Sequence, residues 1–191
     1  MQNRNADMKL LYFPLLVIFL SHSIEINSTN KIDIQDKFVS FGKKTTENRM
    51  IDVIIIHSAY NALGGNIYDV DKIIKQFAKY KVSPHYLIDR QGSVYQMIKE
   101  QDIAYHAGKS ILPDGGTGVN SRSIGIEIIN SLDDSPTAEQ METVTNLVLN
   151  IKGRYHIKYL LRHSDIAPGR KTDPWNFDWD SFINKINEVL E

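Results

Sequence analysis

Apolar positions along the chain fall into blocks of different spacing, and the spacing predicts the elements. Ile51-Asp52-Val53-Ile54-Ile55-Ile56-His57 has the β-branched density of a buried strand, and it closes on a histidine. After the turn-rich Asn61-Ala62-Leu63-Gly64-Gly65-Asn66, residues Val70, Ile73, Ile74 and Phe77 recur at helical spacing, so an amphipathic helix is expected over Asp69 to Tyr80. His85-Tyr86-Leu87-Ile88-Asp89 and Ser93-Val94-Tyr95-Gln96-Met97 flank Arg90-Gln91-Gly92 and predict a β-hairpin. A short strand is expected around Ile103 to His106, a Gly-rich loop over Pro113 to Gly118, and a second buried strand over Ser123 to Asn130. Thr137 and Gln140 have the spacing of a capping box, and the helix they open puts Met141, Val144, Leu147, Val148 and Ile151 on one face. Lys158 to Leu161 reads as a further strand. Asp178 caps a last helix expected to bury Trp179, Phe182, Ile183, Ile186 and Leu190. Strands separated by helices, plus one hairpin, give the fold class: α/β, a single domain with a central mixed β-sheet flanked by helices.

Upstream of these blocks the pattern changes. Met8-Lys9 precedes an apolar run from Leu10 to Leu20, shorter than the ~20 residues of a comfortable membrane span, and Ser21-His22-Ser23 follows with small residues where a signal is cut. Residues 1–23 therefore read as an export signal starting at Met8, with an uncleaved anchor as the competing reading. Residues 24–48 are polar and read as a leading segment, and the folded domain is expected over 49–191.

Composition narrows the partners. The 191 residues suit one domain with a sizeable core, and 22 basic against 23 acidic side chains leave a net charge of -1. That balance offers no footprint for nucleic acid or anionic lipid. With no cysteine there is no disulfide framework, thiolate metal site, thiol nucleophile or lipid-anchoring thiol, so any metal must be held by imidazole and carboxylate.

Two features carry chemistry. On the strand from Ile124 to Asn130, Gly125, Glu127 and Ile129 share one face, so Glu127 sits in an apolar run where a carboxylate is almost never buried without a partner. A salt bridge to a neighbouring strand would explain it; a catalytic acid or base explains it better, with Gly125 leaving room for a ligand. The second feature is Leu161-Arg162-His163-Ser164-Asp165-Ile166-Ala167-Pro168-Gly169-Arg170-Lys171-Thr172-Asp173-Pro174, read as a rigid, irregular loop that can bring His163 and Asp173 to one point with Lys171 to the same side. With His57, this would give two imidazoles and one carboxylate, leaving zinc a net charge of about +1 and an open position for water. The alternative is a surface loop with solvated charges.

Ile56-His57-Ser58, Ser83-Pro84-His85-Tyr86-Leu87-Ile88-Asp89, Ala104-Tyr105-His106-Ala107-Gly108, Ser123-Ile124-Gly125-Ile126-Glu127 and His163 to Pro174 occur in an order that resembles the type-2 N-acetylmuramoyl-L-alanine amidases, the AmpD/AmiD group related to peptidoglycan recognition proteins. The resemblance implies a zinc ion bound by His57, His163 and Asp173, with Glu127 and Lys171 as catalytic residues. It also implies hydrolysis of the amide between N-acetylmuramic acid, ordinary or 1,6-anhydro, and L-alanine of the stem peptide. The substrate would be peptidoglycan or muropeptide, and the enzyme a monomer, exported to the periplasm or secreted, without a membrane span once the signal is cut. His106, Asn61 and Arg122 are candidate substrate contacts, as is Tyr60, whereas His85 is expected to be structural. Two other activities compete: a muropeptide-binding module without catalysis, and a zinc peptidase cutting within the stem.

Overall fold

The structure, a computed structural model, describes residues 32–191; the expected export signal lies outside them. Six strands form one mixed sheet in the order β1 (Ile34–Asp36), β5 (Val94–Gln96), β4 (Tyr86–Ile88), β7 (Ser123–Ile129), β3 (Val53–Ala59), β8 (Tyr159–Arg162). Neighbours pair in parallel except β4 and β5, which are the expected hairpin. A separate antiparallel pair joins β2 (Lys43–Lys44) to β6 (Ile103–Ala104).

Every residue of β3 is buried, as near-continuous apolar strands should be when both faces of a sheet are covered. On one face Ile54, Ile56, Ile124, Ile126 and Ile128 meet Val144, Leu147, Val148 and Ile151 of α2 (Ala138–Arg154) and Phe182 and Ile186 of α4 (Trp179–Leu190). On the other, Leu87 and Ile129 pack with Ile73 and Phe77 of α1 (Val70–Tyr80), while Val53 and Ile55 pack with Val119 and Ile166.

Helix starts follow the side-chain signals. Asp69 accepts from the Lys72 amide, Asp178 from the Ser181 amide, and Thr137 and Gln140 form the reciprocal capping box. At the far end of α4 the apolar stripe outlasts its partner, so Leu190 is exposed rather than buried as expected. Among the described residues, no helix is long and apolar enough to cross a membrane.

Three boundaries differ from the sequence pattern. The sheet begins at Ile34 and not near Arg49, because β1 pairs with β5 and the amides of Lys37 and Val39 continue the bonding to Gln96 and Met97. That edge is held by backbone groups and sparse apolar residues (Ile34, Val39, Phe41), too few to register as a period. β3 does not close on His57; pairing with β7 carries it to Ala59. Lastly, His163 opens a short helix, α3 (His163–Ile166), where an irregular loop was expected; the Asp165 carboxylate accepts the Arg162 amide and holds that first turn.

Candidate active site

Parallel register builds the site. His57 lies opposite Glu127 on β7, and Ile56 lies opposite Arg162 on β8, so His163, one residue on, comes level with His57. After α3 the chain folds back: the Arg170 and Lys171 amides donate to the Ala167 carbonyl, and the Ser164 amide donates to the Asp173 carbonyl at 3.0 Å. Asp173 Oδ2 thereby sits 3.0 Å from His163 Nδ1 and 3.4 Å from His57 Nδ1, and the two Nδ1 atoms are 2.9 Å apart. All three side chains are buried, and their ligand atoms form a group that could hold a metal ion. The site lies at the carboxyl ends of the central parallel strands, where open α/β sheets bind ligands.

The donor chemistry of this cluster calls for a cation. His163 Nε2 is 3.1 Å from the Ala107 carbonyl, which can only accept, so Nε2 carries a hydrogen and the neutral form of the ring turns the Nδ1 lone pair towards Asp173. Burial lowers the His57 pKa to about 4, so that ring is neutral at neutral pH. Burial alone would raise the Asp173 carboxyl; in the metal-free protein a proton shared with His163 and His57 outweighs this and holds it well below the usual carboxylate range, and a cation in the same place would act in the same sense. Lone pairs packed this closely repel one another unless a positive charge lies among them.

Glu127 stands beside this cluster. Its Oε2 is buried with no hydrogen-bond partner. Burial first, and then the Asp173 carboxylate, push its pKa up to about 8, against the opposing pull of Lys171. Glu127, Lys171, His163 and Asp173 all face a groove of about 390 Å³. Tyr60 and Trp175 pack on its wall with ring centroids 5.7 Å apart and planes tilted by 58°, and the exposed Tyr80 and Tyr105 lie on its rim. Tyr80, Tyr105 and Trp175 escaped the sequence reading; the available signal was an exposed aromatic at the end of an amphipathic helix (Tyr80) and another directly after a two-residue strand (Tyr105).

The remaining candidates separate. His106 faces the groove, whereas Asn61 does not. The Asn61 side chain is 1 % exposed, gives its amide hydrogens to the Gly64 and Asn66 carbonyls, and accepts from the Leu63 amide, so it shapes the loop after β3. Arg122 lies at the opposite end of the sheet, five residues before Glu127 and so about 16 Å away along the strand. There its guanidinium pairs with Asp52 at 3.0 Å. His85 is buried, accepting from the Gly125 amide on Nδ1 and facing the Asp102 carbonyl through Nε2.

Gly125 was expected to make room for a ligand; the room is taken by the His106 ring, whose Cγ would lie 2.4 Å from a Cβ built at that position. Gly125→Ala is therefore expected to destabilise the fold by about 1–3 kcal/mol in urea or thermal unfolding, because β7 is fixed on both sides and the ring must move. Unchanged stability would show that the ring has somewhere else to go.

The sequence profile of the N-acetylmuramoyl-L-alanine amidase family matches residues 47–176, which carry the whole of this site. The chain belongs to that family. Within it the relatives are of the type-2, AmpD/AmiD kind. The chain is 33% identical over 110 residues to the 1,6-anhydro-N-acetylmuramyl-L-alanine amidase AmpD of Haemophilus influenzae, covering 56% of this chain and 59% of that one. It is 32% identical over 154 residues to the N-acetylmuramoyl-L-alanine amidase AmiD of Escherichia coli, covering 71% of this chain and 53% of the relative. The chain thus spans less than two thirds of the length of either amidase. Among solved structures, a selenomethionine derivative of AmpD superposes with a TM-score of 0.67 at 25% identity, over 80% of this chain and 94% of that one. The E. coli AmiD complex with the substrate anhydro-N-acetylmuramic acid-L-Ala-D-gamma-Glu-L-Lys superposes with a TM-score of 0.61 at 29% identity, over 74% of this chain and 60% of that one. The mixed sheet with flanking helices is the fold these amidases share with the chain.

Proposed function

We propose that the chain is a zinc-dependent amidase that cleaves the bond between N-acetylmuramic acid, in ordinary or 1,6-anhydro form, and L-alanine in peptidoglycan or its muropeptides. The observation that carries this reading is the juxtaposition of the His57, His163 and Asp173 donor set with an unpartnered, buried Glu127 oxygen in one groove. Zinc bonds of about 2.0–2.1 Å at tetrahedral angles put neighbouring ligand atoms about 3.3 Å apart. The observed separations of 2.9, 3.0 and 3.4 Å bracket that value, and the donors are the neutral imidazoles and carboxylate that zinc favours.

When bound, zinc would supply Lewis acidity, polarising the scissile carbonyl and acidifying water. The protein supplies the proton path. Glu127, which faces the groove, in its ionised form accepts a proton from the attacking water and delivers it to the departing alanine nitrogen as the C–N bond breaks. A pKa raised towards neutrality suits a group that must take and then return the same proton. Lys171 donates to the carbonyl oxygen as it gains negative charge. Tyr60, Trp175 and the rim tyrosines offer flat apolar faces against which a sugar ring or stem peptide can lie. The groove is formed by a single chain, so a monomer suffices. The export signal read in residues 1–23 would carry the enzyme to the periplasm or beyond, where intact wall is the substrate.

Mass spectrometry of digested muropeptides tests this directly. An amidase releases intact stem peptide and intact sugar; a shortened stem would mean a peptidase, and an unaltered substrate a binding module. Lys171→Ala is expected to lower kcat about 100-fold with little change in KM, since its contact strengthens only as charge develops. Equal losses in binding and turnover would instead place the ammonium on the substrate's ground state.

A further inference from the structure

The turn Tyr105-His106-Ala107 touches both imidazoles of the candidate centre from behind. His106 Nδ1 is 2.9 Å from His57 Nε2, and the Ala107 carbonyl is 3.1 Å from His163 Nε2. We infer that this turn is a tautomer lock: His106, relayed through Ser123, obliges His57 to present a bare Nδ1 to the metal, as the Ala107 carbonyl obliges His163. His106 is then a positioning residue and not a substrate contact. The inference rests on the metal-centre reading above.

Donor counting from the far end fixes the polarity. The Ser123 hydroxyl gives its one hydrogen to the Val119 carbonyl at 2.7 Å, so towards His106 Nε2, 3.1 Å away, it can only accept. His106 Nε2 therefore carries the hydrogen and its Nδ1 is an acceptor. His57 must then donate from Nε2, which leaves Nδ1 as the lone pair facing Asp173 and His163. A hydrogen bond to the second nitrogen is the usual means of setting which atom of a histidine binds metal. The relay is neutral throughout, so it leaves the centre the charge of about +1 that two imidazoles and one carboxylate give a zinc ion.

The surroundings hold this relay rigidly. Gly125 makes way for the His106 ring, which a Cβ there would strike. Asn120 Oδ1 accepts both the His106 and Ala107 amides, at 3.2 and 2.9 Å. Asn120's own carbonyl is held by the Arg49 guanidinium at 2.9 Å, and Arg170 shares the Ala107 carbonyl at 2.9 Å. Both His106 nitrogens are engaged, which leaves neither free for a ligand in the groove.

The test is made on the purified protein with zinc, by chelator competition for affinity and by ¹⁵N–¹H spectra of the imidazoles. In the zinc-loaded parent, His106 should show a hydrogen on Nε2 alone, with a scalar coupling across the His57 Nε2–H···Nδ1 His106 bond. His106→Leu should weaken zinc binding about 10–100-fold. His106→Gln, which can still accept and donate, should recover most of that loss, and Ser123→Ala, which removes a single oxygen, should scramble the His106 tautomer without unfolding the protein. A His106 hydrogen on Nδ1, or zinc affinity equal to the parent's in both His106→Leu and Ser123→Ala, overturns the lock while leaving the metal centre standing. A parent that takes up no zinc overturns both.

Discussion

Glu127→Gln is expected to lower amide hydrolysis by about 100- to 10,000-fold while the protein keeps its zinc. The substitution preserves volume and removes only the ability to take a proton, and Glu127 is not among the three grouped ligands. Turnover of muropeptides at the parent rate would remove Glu127 from the mechanism. The same variant should also change stability in a pH-dependent way. In the metal-free protein the Glu127 carboxyl titrates near 8, against an ordinary value of 4.5, because burial penalises its charge. The folded state therefore holds that proton more tightly than the unfolded chain. The resulting stability is fully present below about pH 4.5 and is lost as pH rises through 8. Replacing the carboxyl by a neutral amide should make little difference at pH 4 and stabilise the metal-free protein by about 3 kcal/mol at pH 7. Unfolding curves at the two pH values check this; a constant difference would mean that Glu127 is not held protonated by its surroundings.

Asp173→Ala is expected to abolish both metal retention and activity. The carboxylate supplies the only negative charge among the three grouped donors, and without it two neutral imidazoles must hold a dication in a buried space. Zinc affinity should fall by more than about 100-fold, since losing a direct ligand should exceed the 10–100-fold cost of losing one of its outer hydrogen-bond partners. Metal analysis after dialysis measures this, with circular dichroism to show that the sheet is intact. Full zinc content in a folded Asp173→Ala protein would move the centre elsewhere. The pH signature opposes that of Glu127. In the metal-free protein Asp173 is held below the ordinary carboxylate value of 3.8, so its contribution to stability is present above that value and is lost as pH falls further.

How far the sequence discloses this site depends on what each residue is near. His57 and Glu127 were legible because a polar side chain in an apolar strand has few reasons to be there, and the parallel register then places them side by side. His163 and Asp173 were legible from turn residues and from the resemblance of their motif, although the short helix between them was not: a four-residue turn has too few positions to show a period. Gly125 reads as space, but whether ligand or protein fills it depends on the ring of His106, far off in the chain. Arg122 illustrates the limit. Its place at the edge of the Ser123–Glu127 motif and its fit to stem-peptide carboxylates suggested a substrate contact, and strand geometry carries it to the opposite end of the sheet, against Asp52. The edge strand β1 was missed for a related reason, since its partners are backbone groups, which every residue possesses.

The two imidazoles of the centre are 106 residues apart and become neighbours only through β3 and β8, the last strand of the sheet in chain order. In a chain still being synthesised this site therefore stays incomplete until the final strand has docked. On the proposed zinc reading, metal capture would be the closing step of assembly and not its seed: the ion would act as a latch that slows the opening of a finished molecule, without hastening the search that finishes it.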